Sequence, residues 1–235
     1  MDDHLAAARA VTRAAAEGDA LHLPQRLCRT LEMSLGMDAV SLSLLTDTPA
    51  RQLLGVSNGI ALRLEEVQFT MAEGPCVTAA SSGRPAFADD LHRQLTDWPL
   101  FGAAVCDQLP EIGAVFAFPL RFAGSTLGAA DLVRLEAGPM GDHACIQAAH
   151  ATDAAADALR DDLKLLLLGG ELPPWQPTEV LESHWATTHR AIGMLAARLR
   201  IDPGEALARM RAKAFATGAS LAQIAARLLA QPPDG

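Results

Sequence analysis

Lysine is nearly absent. Lys164 and Lys213 are its two occurrences, and every other basic side chain is an arginine. Aromatic residues make up 4% of the 235 positions. No apolar run approaches the ~18–20 residues that a spanning helix needs, and Leu165-Leu166-Leu167-Leu168 is far too short, so no membrane association is expected. The four cysteines, Cys28, Cys76, Cys106 and Cys145, are dispersed with no CxxC pair, which points to reduced thiols. The segment Met1-Asp2-Asp3-His4 has neither the basic nor the apolar region of a signal peptide, and a cytoplasmic location is expected. No glycine-rich phosphate loop and no Ser/His/Asp constellation with a nucleophile elbow occurs, so there is no argument for an enzyme. His92 and His143 lie near Asp89, Asp90 and Asp142, but their spacings match no compact metal site. No metal and no cofactor is expected.

The composition is globular, with 50% hydrophobic and 20% charged residues. A net charge of -9 argues against a generally basic nucleic-acid coat. The charge is unevenly placed, however. Residues 1–170 carry 12 basic and 22 acidic side chains, whereas residues 184–230 carry 7 basic ones against Asp202 and Glu205 alone. An acidic body thus precedes a short basic unit.

Hydrophobic periodicity gives the element order. Residues 4–17 read as an Ala-rich helix. Leu23, Leu27, Leu31 and Leu35 recur every four residues behind Pro24 and stop at Gly36, an amphipathic helix. Residues 39–46 and 52–57 alternate as strands, and Asn58-Gly59 reads as a turn. A short helix starts at Pro75, a short strand covers 85–88, and 98–105 reads as a helix. Residues 114–122 and 126–135 form the clearest hairpin. One long helix covers 142–168. A Pro-rich linker at 169–178 separates this 21–168 unit, with its 1–20 extension, from an all-helical unit at 179–232. There, Asp202 and Ser220 are expected N-caps and Gly218 a stop. Gly193 inside a helix costs about 1 kcal/mol relative to alanine, and close approach of another helix or a ligand is the expected compensation.

The C-terminal stretch His189-Arg190-Ala191-Ile192-Gly193-Met194-Leu195, followed by Glu205-Ala206-Leu207, Met210-Arg211-Ala212-Lys213-Ala214 and Ser220-Leu221-Ala222-Gln223-Ile224-Ala225, resembles the ANTAR domain. That family is a three-helix RNA-binding module of bacterial transcription antiterminators. The resemblance implies binding to tandem RNA hairpins in leader transcripts. The basic side chains offer phosphate contacts for that task. His189, Arg190, Arg211 and Lys213 are the candidate RNA contacts, joined by Arg198 and Arg209. Ala191, Gly193, Leu195, Ala206, Ala214, Leu221 and Ala225 are expected packing positions of the motif. The family often has glutamine where Arg190 stands, a change that keeps phosphate attraction but removes an amide.

In the N-terminal unit, Phe69-Thr70-Met71-Ala72-Glu73-Gly74-Pro75-Cys76, Trp98-Pro99, Phe118-Pro119-Leu120-Arg121 and Leu127-Gly128-Ala129-Ala130-Asp131-Leu132 resemble the GAF domains fused to ANTAR modules in actinobacteria. Ala72 replaces a usual glycine there, and Val133 a common tyrosine. The combined expectation is an α+β fold, a GAF-like antiparallel sheet with helices, followed by an all-α three-helix ANTAR bundle. GAF domains are sensory modules, which implies a small-molecule ligand or a dimerisation role. Cys76 invites a ligand or redox reading, and a small buried residue at a helix start accounts for it as well. The expected function is a signal-responsive antitermination regulator acting as a homodimer through helices 4–17 and 142–168. The alternatives are a DNA-binding regulator and a protein-interaction module without nucleic acid.

Overall fold

The computed structural model describes residues 3–44, 48–49, 51–93, 97–122, 124–160 and 179–230, with side chains of the last segment from Trp185 onward. After a 3-10 turn at Asp3–Leu5 come α1 (Ala6–Ala16), α2 (Leu23–Leu35), β1 (Ala39–Leu44), β2 (Gln52–Val56), α3 (Gly59–Met71), α4 (Pro75–Ser82), β3 (Ala86–Ala88), α5 (Pro99–Gln108), β4 (Ala114–Phe122), β5 (Ser125–Arg134) and α6 (Asp142–Ala158). The C-terminal helices are α7 (Glu179–Leu199), α8 (Pro203–Thr217) and α9 (Leu221–Leu229). The expected course of the long helix past residue 160 and the linker at 169–178 lie outside the described residues.

All neighbouring strands are antiparallel, in the order β2-β1-β5-β4-β3. Alternation along the strands divides the core. Val40, Leu42, Phe116, Phe118, Leu120, Ala130 and Leu132 face α2 and α6, with Ala7 and Val11 of α1 closing that layer. Ala39, Val115 and Val133 point the other way, onto α3 and α5. Ala117 and Ala129 meet Cys76 and Ala79 of α4 on that same side. Helices therefore cover both sheet faces, so the strands carry apolar residues on both sides. Pro119 is tolerated in β4 because β3 pairs only with Val115–Ala117, leaving the Pro119 side of the strand open.

One helix was not foreseen. Asn58-Gly59 is a helix start, not a turn: the Asn58 side chain accepts from the backbone N–H of Ile60 and Ala61. The α3 helix is buried on several sides, with Leu64 in the sheet core and Phe69 in the core of the C-terminal bundle, so no single apolar stripe marks it. Its end is unusual too. Ala72 sits in left-handed backbone with φ 56°, the position where glycine fits without strain.

The bundle follows its caps. Asp202 accepts from the N–H of Gly204 and Glu205, at 2.8 and 3.0 Å, and Pro203 occupies the first turn of α8. Gly218 ends α8 at φ 62°, and Ser220 with Gln223 forms a capping box on α9. The packing stripe comprises Ala191, Ile192, Ala196, Ala206, Leu207, Met210, Ala214, Leu221, Ile224 and Ala225, with Leu195 half-buried against it. Gly193 departs from the expectation. It is exposed, and a Cβ there would meet nothing within 4 Å, so no neighbouring helix approaches it.

Candidate nucleic-acid interface

The bundle core does not close on itself. It continues into Leu53 and Phe69 of the sheet unit. The Phe69 ring packs on Trp185 of α7, with centroids 4.8 Å apart at 45°. The Arg51 guanidinium lies 5.2 Å from the Phe69 centroid and 5.5 Å from that of Trp185. On the other helix, Arg211 donates from Nε to the Phe69 carbonyl at 2.9 Å and stands 5.1 Å from the Phe69 ring centroid. The backbone N–H of Leu221 donates to Thr70 Oγ1 at 3.4 Å. Cation–π contacts of this kind gain strength when desolvated, so the joint is specific as well as apolar.

This docking sorts the six candidate RNA contacts into two groups. Arg211 is directed into the joint. His189 is half-buried, with its ring hydrogen-bonded to the Arg51 backbone. Burial pushes its pKa below 6.5, because the cation loses hydration, and the hydrogen bond offsets part of that. Arg190, Arg198, Arg209 and Lys213 are exposed. Arg209 pairs with Glu205 one turn earlier at 2.5 Å, a contact of small energetic weight at this exposure. Arg190 and Lys213 form no ion pair among the described residues. On α7, Arg190, Gly193 and Ala197 share one exposed face at i, i+3 and i+7. That face is smooth and basic, which suits close approach of a phosphate backbone.

Behind the joint lies a polar centre that the sequence did not reveal. Arg51 and Glu65 form an ion pair with both side chains fully buried. Ser41 Oγ donates to Glu65 Oε1 at 2.5 Å. Gln68 Nε2 donates to Asp131 Oδ2 at 2.6 Å, and Gln68 Oε1 accepts from the Cys76 N–H at 2.9 Å. Asp131 is pushed up to about 6 by burial, against the pull of the Gln68 hydrogen bond, the Arg51 charge and the Cys76 thiol. The Cys76 thiol is pushed upward by burial and by the Asp131 charge. Both effects oppose a ready thiolate at Cys76.

The E-G-P-C motif now has a physical account. Glu73 accepts from the N–H of Leu100 and Phe101, capping α5. Gly74 has φ 134°, and a Cβ there would lie 2.4 Å from Gln68 Oε1. Pro75 occupies the first turn of α4, and Cys76 receives the Gln68 contact. In F-P-L-R, Arg121 donates to the Gly83 carbonyl at 3.0 Å and meets Asp153 at 3.5 Å. Trp98 anchors α5 by donating from Nε1 to Thr78 Oγ1 at 2.8 Å.

Among the described residues, no helix is long and apolar enough to cross a membrane. No curated protein matches the chain. The GAF domain of a Coxiella burnetii phosphoenolpyruvate-protein phosphotransferase is similar in structure, with 17% identity and a TM-score of 0.52, over 71% of this chain and 96% of that one. The GAF domain of an Acinetobacter phosphoenolpyruvate-protein phosphotransferase is similar with 9% identity and a TM-score of 0.50, over 72% of this chain and 98% of that one. At such identities the likeness shows the fold alone, and that fold is GAF-like. The ANTAR domain family matches residues 181–229. The chain therefore joins a sheet unit of GAF-like fold to a C-terminal segment, residues 181–229, that matches the ANTAR domain family.

Proposed function

We propose that the chain is a signal-responsive transcription antitermination regulator, not an enzyme, whose ANTAR domain binds RNA hairpins. The observation that carries this reading is the ANTAR match on a unit whose exposed basic side chains include Arg190, Arg198, Arg209 and Lys213. The limits read from the sequence, 21–168 for the sensory unit and 179–232 for the RNA-binding unit, are kept in this proposal. Arg190 and Lys213 supply phosphate contacts from α7 and α8. Arg211 and His189 serve RNA only after the bundle leaves the sheet unit, since both are engaged by Phe69 and Arg51 in the docked form. The docked form is thus the weaker RNA binder.

Two bundles in a homodimer would bind tandem hairpins with added avidity. The α1 helix packs along α6, and Leu5 in the turn before α1 and Ile146 of α6 are exposed, which supports these helices as the dimer surface. Light scattering at micromolar concentration with two-hairpin RNA is expected to show a dimer, and a strict monomer overturns that part.

The test of the main reading is fluorescence anisotropy with two-hairpin RNA against duplex DNA of equal length. Tighter binding of RNA is expected, with Arg190→Ala and Lys213→Ala each weakening it severalfold and flattening its salt dependence. Preference for the duplex favours a DNA-binding regulator. Binding to neither favours a protein-interaction module.

A further inference from the structure

We propose that the polar centre beneath α3 is a metal site, in which Cys76 Sγ, one Asp131 oxygen and one Glu65 oxygen ligate a divalent first-row transition ion of the Zn2+ or Fe2+ type. The three residues come from α4, β5 and α3, and are far apart in the sequence. Their ligand atoms nevertheless lie within 4.8 Å of one another, and all three side chains are fully buried. Such spacing is what a single ion requires, with each ligand moving inward by a fraction of its present separation.

Two further observations support a ligand at this centre. Asp131 Oδ1 is buried and makes no hydrogen bond, and neither does Ser43 Oγ, although both residues are 0% exposed. Ser43 lies two residues from Ser41 on β1 and faces the same side of the sheet as Asp131, because Ser41 pairs with Asp131 and Ser43 with Ala129. The large majority of buried side-chain polar atoms in native proteins have a partner, and a carboxylate oxygen left without one at full burial is costly. Ion and acceptor would satisfy each other here.

Charge and donor type make the assignment narrower. Glu65 and Asp131 together bring two negative charges, and Arg51 one positive charge. When the ion binds, a metal–sulfur bond forms, the Cys76 S–H bond breaks and its proton leaves to solvent. The thiolate then adds a third negative charge, and Arg51 plus a divalent ion balance the three. Arg51 remains an outer partner on Glu65 Oε2. A thiolate selects a borderline or soft ion over Mg2+ or Ca2+, which take all-oxygen sites. The inference does not depend on whether the bundle binds RNA.

The test uses the full chain, stripped with chelator, under reducing anaerobic conditions, with Co2+ as the probe. One Co2+ per chain is expected, with thiolate-to-cobalt charge-transfer absorption. Cys76→Ser is expected to abolish that band, while Cys28→Ser, whose thiol is buried on the opposite sheet face, keeps it. Asp131→Asn is expected to weaken Co2+ binding at least tenfold, and Zn2+ to displace Co2+ and bleach the band. Circular dichroism checks that each variant is folded, and if Cys76→Ser is not, Asp131→Asn decides. Absence of the band at stoichiometric Co2+, its survival in Cys76→Ser, or unchanged affinity in Asp131→Asn overturns the site.

Discussion

Ala72 and Gly193 are two residues whose chemistry runs against their backbone. Ala72 ends α3 with φ 56°, where a Cβ is strained by roughly 1–2 kcal/mol. Ala72→Gly is therefore expected to stabilise the chain by about 1 kcal/mol, less the entropy that glycine regains when unfolded, as a higher urea midpoint at unchanged slope. Gly193 is the converse case. It lies in mid-helix with open space around it, so Gly193→Ala is expected to add about 1 kcal/mol of stability. A glycine kept at such a cost on the face of Arg190 and Ala197 fits close approach of a ligand backbone. The same variant is then expected to bind two-hairpin RNA more weakly than the parent, by the anisotropy assay. Unchanged RNA affinity would place the contact face elsewhere on the bundle.

The helix caps of the C-terminal bundle were legible in the sequence. Asp202 and Ser220 were expected as caps from their position before apolar periodicity, and both side chains accept backbone N–H groups in the fold. Asp202→Ala is expected to cost about 1 kcal/mol, read as a lower thermal midpoint and as faster hydrogen exchange in the first turn of α8. The α2 stripe and the β4–β5 hairpin were equally plain: α2 repeats a buried leucine every four residues, and β4 and β5 are long apolar runs in close succession. The α3 helix was not plain, because it serves two cores at once. Leu64 and Val67 face the sheet, Phe69 faces the bundle, and Glu65 and Gln68 turn inward to polar partners. A helix with burial on several sides and polar residues inside has no single period. The candidate site divides the same way. Which side chains are basic is a matter of sequence. Which of them are engaged depends on docking, and nothing local in Arg211 or His189 signals Phe69 or Arg51 as a partner.

At the scale of the whole molecule, docking couples the two units through Arg51. Its guanidinium pairs with Glu65 inside the sheet unit and also lies beside Phe69 and Trp185 at the joint. Arg51 thus belongs both to the polar centre and to the surface that holds the bundle. His189 makes this joint sensitive to pH. Its pKa is lowered in the docked form by desolvation, beside the Arg51 backbone, so that form binds fewer protons than the undocked one. Docking is therefore at full strength above about pH 6.5, the ordinary histidine value, and weakens as pH falls through the depressed pKa of His189. Arg211→Ala removes one hydrogen bond and one cation–π contact from the joint and is expected to favour undocking. NMR titration of the His189 ring is expected to give a midpoint below 6.5 in the parent chain, and a midpoint raised toward 6.5 in Arg211→Ala. Equal midpoints in the two chains would mean that Arg211 does not hold His189 in the joint. A parent midpoint at or above 6.5 would mean that the ring is solvated and that acid has no purchase on docking.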